Sequence, residues 1–345
     1  MLELTPENVL DYLYESGRLQ RSCTADVEWL AWGVSNVVLR IHPAEGDDFV
    51  VKQSRTQLRT EAAWFSRLDR IWREAELMQT LSHLLPAGGV PQVLFEDRDN
   101  YLFAMQAVDA NHTVWKAELL DGKTELKIAA TAGEYLASIH CGTYADAALE
   151  EKFGDREVFD QLRVDPFYRR VAQAHADLAP PIKNMIDEMF ATAVCVVLAD
   201  FSPKNMLITG GRLTLVDFET GHFGDPAFDL GFFLSHVLLK TVLFRTRADD
   251  FLNLARTFWN AYTGGMKQTT GENDFSIHEL ERRTVPHLAG CMLSRIDGKS
   301  LVDYLPLPEQ QELVRTFCRH LFLESPSTLD DVFNGLQGEL ASANW

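Results

Sequence analysis

Two short β-type apolar runs in this chain each end in an aspartate. VCVVLA leads into Asp200 and LTLV into Asp217, with Asn205 five residues after the first. A short turn, Thr209-Gly210-Gly211-Arg212, separates them. In this D-x-x-x-x-N arrangement the first aspartate opens a tight loop and the asparagine returns to the same place. The hairpin that follows brings Asp217 back from the other side. The layout therefore demands a fold that gathers two carboxylates and an amide oxygen around one point.

Oxygen ligands of this kind suit Mg²⁺, a hard cation. An Asp, an Asn five residues on, and an Asp at the end of the next strand is the layout of a kinase catalytic centre. Phosphoryl transfer asks for positioning and charge neutralisation more than for covalent work by the protein. On this reading Asp200 meets the acceptor hydroxyl as base, and Asn205 and Asp217 hold the metal.

The segment resembles the aminoglycoside phosphotransferase family of small-molecule kinases, relatives of the protein kinase fold. That family's pattern is roughly H-G-D-x-x-x-x-N, a strand ending I-D-[FW]-E, then G-D-P-x-x-D-L. Here it reads Leu198-Ala199-Asp200, Asn205, Val216-Asp217-Phe218-Glu219, then Gly224-Asp225-Pro226 and Asp229-Leu230. Leu198 stands where the family has histidine, a scaffold of the loop. The resemblance implies an α+β, bilobal protein-kinase-like fold: a small five-stranded antiparallel N-lobe with one helix, and a larger, mainly helical C-lobe.

The first third of the chain is patterned for such a lobe. Thr5-Pro6-Glu7 reads as a helix start with Thr5 as N-cap, and Gly17 as its stop. Strand-like runs follow: DVEWLAW, NVVLRIH, DFVVKQS, QVLFED and YLFAMQAV. Helical periodicity interrupts them after the third, from Arg67 to Leu85. Lys52 lies in the third run, where a kinase holds the α- and β-phosphates; on its own it also fits a solvated edge-strand lysine. The family pattern implies Glu74 as its partner, with Glu61 and Glu76 as fallbacks. It also implies that Ala31–Asn36, a sparse-glycine loop ending Ser-Asn, covers phosphate, so that Ser35 contacts it; an ordinary hairpin turn is the alternative. The fifth strand's end, Met105–Val108, is the expected hinge, with Gln106 and Val108 offering backbone contacts to adenine. The implied organisation is residues 1–104 as N-lobe, 105–110 as hinge and 111–345 as C-lobe, with ATP between lobes.

Beyond the hinge, helical spacing is expected near 123–141, 181–193, 226–244, 250–262, 277–293, 308–323 and 329–340. Asp229 is expected to accept backbone N–H groups of the catalytic loop, and Asp225-Pro226 to cap the same helix. Glu219 could line the site, and His222 reads first as a satisfied core or surface histidine. Lys204 could neutralise the transferring phosphoryl group or be a solvated loop residue. Arg295, Asp297 and Lys299 could reach the acceptor, although capping of a helix ending near Leu293 explains them as well.

Composition narrows the function classes. The 345 residues carry a net charge of −18, with a pI near 4.9. Such acidity argues against nucleic acid or an anionic membrane as partner; it suits a cationic substrate, or solubility alone. No uncharged apolar run approaches the roughly 20 residues of a membrane helix, and the N-terminus is acidic and amphipathic rather than a signal peptide. Five scattered cysteines, without a C-x-x-C pair, fit reduced thiols in the cytoplasm. The expectation is an ATP- and Mg²⁺-dependent kinase that phosphorylates a hydroxyl of a small metabolite or antibiotic. The competing expectation, prompted by Leu198, is a degenerate kinase that binds nucleotide without catalysis.

Overall fold

The computed structural model describes residues 2–30, 36–55, 67–270 and 276–343. The chain divides into two compact units. One is Met1–His112 with Thr214–Glu219, and the other is Thr113–Leu213 with Thr220–Trp345.

The first unit is built on a five-stranded antiparallel sheet: β1 (Ala25–Trp29), β2 (Asn36–Pro43), β3 (Phe49–Ser54), β4 (Val93–Asp97) and β5 (Leu102–Gln106), in the order β1-β2-β3-β5-β4. All five expected strands are present. β3 is central and buried along its whole length, so Lys52 is not an edge-strand lysine. Successive side chains on a strand face opposite ways. Phe49 and Val51 therefore join Val37, Leu39 and Ile41 in an apolar cluster with Val9, Leu13 and Leu4, while Val50 and Lys52 point to the other face. Helix α1 spans Val9–Glu15, later than expected: Asn8 precedes it, and Thr5 donates its N–H to Asn8 Oδ1 at 2.8 Å instead of capping. Helix α2 spans Arg70–Leu81 and buries Ile71, Glu74, Ala75, Met78 and Leu81 on one stripe.

The second unit is mainly helical: α3 (Trp115–Leu120), α4 (Leu126–Gly142), α5 (Ala147–Phe153), α6 (Glu157–Phe159), α7 (Arg170–Ala174), α8 (Ala179–Ala191), α9 (Ala227–Leu243), α10 (Ala248–Thr270), α11 (Ile277–Asp297), α12 (Pro308–Glu324) and α13 (Leu329–Ser342). A π-helical segment, Asp160–Arg169, joins α6 to α7 and contains Pro166. A proline inside a helix lacks an N–H and crowds the preceding turn, and such wide turns recur at functional sites. The short strands are β6 (Thr113–Val114), β7 (Cys195–Val197), β8 (Met206–Thr209), β9 (Arg212–Leu215) and β10 (His222–Gly224). β7 pairs with β10, and β6-β8-β9 form a second small sheet. Gly210 and Gly211 both take positive φ, 55° and 77°, as the tightest right-twisted hairpins require.

α4 and α10 pack closely because Gly133 has no side chain: a Cβ there would lie 2.4 Å from the Phe258 carbonyl oxygen. α9 is buried almost throughout, with Phe228, Phe232 and Phe233 in the core. No single helix among the described residues is long and apolar enough to cross a membrane.

Candidate active site

In the first unit, Lys52 Nζ donates to Glu74 Oε1 and to Asp217 Oδ1, each at 2.7 Å. The strand alternation that turns Lys52 away from the α1 cluster, and the stripe of α2 that carries Glu74 inward, bring the two together. Burial by itself would lower the Lys52 pKa, but the carboxylates of Asp217, Glu74 and Glu219 outweigh it and hold the ammonium charged. Burial pushes the Glu74 carboxyl up to about 7, opposed by Lys52 and reinforced by Asp217 and Glu219. Lys52 bonds two of these carboxylates directly, and the third, Glu219, is held by Arg70. Glu74 is fully buried whereas Asp217 keeps a side chain 24% exposed; Asp217 is the member that a ligand can reach. Its backbone has φ of 70°, a left-handed conformation costing a non-glycine residue on the order of 1–2 kcal/mol.

Glu219 is held separately. Its Oε2 accepts from Arg70 Nε at 3.0 Å and from Asn36 Nδ2 at 2.9 Å. Arg70, itself buried, also donates to the carbonyls of Arg67 and Arg55. Carboxylate oxygens of Glu74, Asp217 and Glu219 lie within 4.8 Å of one another. An all-oxygen set of this charge fits Mg²⁺ chemically.

In the second unit, the chain turns sharply between β7 and Asp200. Ala199 adopts φ of 57°, and the strain is held by the Asp229 carboxylate at the start of α9. Its two oxygens accept the N–H groups of Leu198 and Ala199, both at 2.7 Å, with no exposure. Thr220 Oγ1 donates to the Leu198 carbonyl, and Arg163 Nε to that of Ala199 at 2.7 Å. Leu198 is buried, and a histidine reaches this anchor from elsewhere: His140 Nε2 lies 3.4 Å from Asp229, and its Nδ1 2.9 Å from the Tyr262 hydroxyl. The loop is therefore fixed without a histidine at 198.

Asp200 Oδ2 accepts from Asn205 Nδ2 at 2.8 Å and lies 3.0 Å from an Arg163 guanidinium nitrogen. Both contacts fall on one oxygen. No bond to Oδ1 is present among the described residues, which leaves it for a substrate. Asn205 closes a 3₁₀ turn, Pro203–Asn205, and its own N–H is spent on the Ser202 carbonyl. Arg163, on the π-helical segment, escaped the sequence reading entirely, as did Arg70.

The remaining candidates divide. Gln106 donates its backbone N–H to Gln92 at 2.8 Å, so that donor is taken; Val108 lies beyond the strand's end. Ser35, Glu61 and the rest of the loop 31–35 fall outside the described residues. Glu76 lies 3.7 Å from Arg98. His222 is buried and stacks on Phe159 with ring centroids 4.1 Å apart, a core histidine. Asp225 accepts the N–H of Ala227 and is bound by Arg283. Lys204 is exposed beside Asn205.

One expectation needs correction: the helix near 277–293 runs on to Asp297, so Arg295 and Asp297 are helical rather than part of a following turn. Gly298 ends it because a Cβ would lie 2.3 Å from the Ser294 oxygen. Asp297 is taken by Arg315 and His175, and Lys299 pairs with Asp165. Arg295 donates to Ser300 and sits at the edge of the Asp200 region.

Residues 26–269 match the model of the phosphotransferase enzyme family. The chain belongs to that phosphotransferase family. Methylthioribose kinase of Pectobacterium atrosepticum is 25% identical to this chain over 264 residues, which cover 68% of the chain and 66% of that relative. The corresponding enzyme of Yersinia pestis strain Pestoides F is 24% identical over 266 residues, 68% of the chain and 64% of its own length. The chain thus matches slightly under two thirds of the length of these relatives. Among solved structures, the fold of the chain is similar to that of choline kinase from Cryptosporidium parvum Iowa II, with a TM-score of 0.57, 10% identity and coverage of 98% and 100%. A choline/ethanolamine kinase family protein from Mesorhizobium loti gives 0.54 at 15% identity, covering 96% and 99%. Amicoumacin kinase, solved with AMP-PNP, Ca²⁺ and Ami, gives 0.55 at 14%, covering 92% and 94%. These likenesses show a protein-kinase-like α+β fold.

Proposed function

We propose that this phosphotransferase moves the γ-phosphate of ATP to a hydroxyl of a small molecule, with Mg²⁺ as the divalent ion. The observation that carries the reading is Lys52 held at 2.7 Å by both Glu74 and Asp217. Buried ammonium groups are rarely placed between carboxylates for stability alone, since desolvation consumes most of the gain. A charged donor fixed beside a reachable carboxylate is what nucleotide phosphates and their metal require.

In the proposed reaction, Asp200 Oδ1 accepts the hydrogen bond of the acceptor hydroxyl and takes its proton. The hydroxyl oxygen forms the new bond to the γ-phosphorus, the bond to the β–γ bridging oxygen breaks, and ADP leaves. Arg163 and Asn205 fix the Asp200 carboxylate by its other oxygen, so that one lone pair faces the substrate. Lys52 engages the nucleotide phosphates and Glu74 orients Lys52. Val108 offers backbone contacts for the adenine edge. Asn205 and Asp217 would hold Mg²⁺, which when bound neutralises charge on the phosphates.

The test is Asp200→Asn. Phosphate transfer, measured as ADP release with a broad panel of hydroxyl acceptors, should fall by about a thousandfold, while binding of a fluorescent ATP analogue is retained. Undiminished transfer in this variant would refute the assignment.

A further inference from the structure

A second polar cluster lies beside Asp200, within the second unit. Lys240, on α9, has no exposure, yet its Nζ makes one bond, to the His236 carbonyl one turn back at 3.0 Å, and no carboxylate pairs with it among the described residues. Its ammonium stands 5.2 Å from the Tyr304 ring centroid. Arg295 approaches from α11, with a guanidinium nitrogen 3.5 Å from His236 Nε2. Arg295 and Arg163 flank the same two stacked rings, Phe167 and Phe232, and Arg163 reaches Asp200 at 3.0 Å. Two buried donors of this neighbourhood, Arg295 Nε and the Tyr304 hydroxyl, have no partner among the described residues. Lys116, next to Trp115 on α3, is half-buried.

This arrangement is expensive as it stands. Orphaned buried donors are rare in native proteins and ask for an explanation, and an unpaired buried ammonium is rarer still. Burial, then the charges of Lys116 and Arg295, push the Lys240 pKa down to about 7. Burial, then Arg295, Lys240, Lys116 and Lys204, hold His236 well below the usual histidine range. Positive charge is thus in local surplus in a chain whose net charge is −18. The one carboxylate bound to this group, Asp200, is already engaged by Arg163.

We propose that the hydroxyl acceptor bears an anionic group, a carboxylate or a phosphate monoester, and that Lys240, Arg295 and Lys116 receive it, with the Tyr304 hydroxyl as a further donor. The anion supplies the missing counter-charge, and the Phe167–Phe232 pair that Arg295 and Arg163 both flank sets its distance from Asp200. The inference rests on the kinase reading above, whose own test is independent of it.

The experiment uses the full chain. Melting is followed with sodium phosphate against sodium chloride at equal ionic strength, and transfer is measured on matched acceptor pairs: glycerate and glycerol, gluconate and glucose, ribose 5-phosphate and ribose. Phosphate should raise the melting temperature of the wild type. The charged member of at least one pair should be the better substrate, the two sugar acids reporting carboxylate and the sugar phosphate reporting monoester recognition. Lys240→Met keeps the volume and should melt higher than the wild type without ligand. Its KM for that acceptor should rise about tenfold, the worth of one charge-assisted bond, with the KM for ATP unchanged. Arg295→Met, as second variant, should do the same. Preference for the neutral member of every pair, or a loss confined to ATP affinity, overturns the inference and leaves the kinase standing. Absence of transfer to any acceptor, with ATP turnover indifferent to Asp200→Asn, removes the kinase reading and the acceptor assignment with it.

Discussion

Replacing Asp229 by Asn tests how the loop that leads into Asp200 is held. The substitution keeps volume and removes one acceptor oxygen from a fully buried site. In the wild type the two carboxylate oxygens each take one N–H, from Leu198 and Ala199, at 2.7 Å. Asparagine accepts one and presents an N–H₂ to the other, so a charge-assisted bond is lost and two donors face each other. The expected cost is about 2–4 kcal/mol, from roughly 1.5–3 for the bond plus the orphaned amide. For a unit of this size that is a fall of about 4–16 °C in melting temperature. The loop also loses what offsets the left-handed Ala199, at φ of 57°. Adding Ala199→Gly should therefore recover about 1 kcal/mol, because glycine adopts that conformation without a Cβ clash. Thermal denaturation gives the global change, and hydrogen exchange at the Leu198 and Ala199 amides gives the local one. A loss below about 0.5 kcal/mol, within the range of an ordinary surface substitution, with both amides still protected, would show that Asp229 does not anchor the loop.

Other outcomes are expected. Lys52→Met should weaken kcat/KM about a hundredfold or more by removing the charge on the nucleotide phosphates, and steady-state kinetics with varied ATP will show it. Gly133→Ala should destabilise by about 2–4 kcal/mol, read by urea denaturation, because its methyl meets backbone at 2.4 Å in the α4–α10 contact. His287 is buried with its pKa lowered to about 4, first by burial, with Arg283 lowering it and Asp225 and Glu188 opposing; its Nδ1 meets the Tyr168 hydroxyl. Its pKa is lower folded than unfolded, so the unfolded chain binds the extra proton. Stability is complete above the ordinary value near 6.5 and declines as pH falls towards 4, by about 3 kcal/mol at most. His287→Gln should flatten that limb of the stability–pH curve, and an unchanged slope would refute it.

The sequence made the loop and its anchor visible because those residues are close in the chain. Asp200, Asn205, Asp217 and Asp229 sit at fixed short offsets, and β periodicity placed Lys52 on a strand. Glu74 followed from helical spacing together with the resemblance. Arg163 and Arg70 were not visible, for a physical reason. A buried arginine that pairs with a distant carboxylate looks in one dimension like a solvated one, and Asp160–Arg169 is π-helical around Pro166, so it shows no 3.6-residue rhythm. The extension of α11 to Asp297 was hidden likewise: Ser294, Arg295 and Asp297 look like a polar turn, although Arg295 packs on Phe167 and Phe232. At the N-terminus, Thr5-Pro6 suggested a start that the Asn8 side chain pre-empts.

The six residues Thr214–Glu219 belong to the first unit although the chain on either side of them belongs to the second. They deliver Asp217 to Lys52 and Glu219 to Arg70. A gene fragment ending at His112 would therefore encode the strands but lack both carboxylates, leaving the buried Lys52 with Glu74 alone of its two carboxylate partners and Arg70 without Glu219. No single crossover can exchange the first unit between relatives as a cassette. Recombinants that keep this buried ion-pair group must carry both pieces from one parent, and that requirement ties the inheritance of Lys52 to a segment more than a hundred residues downstream.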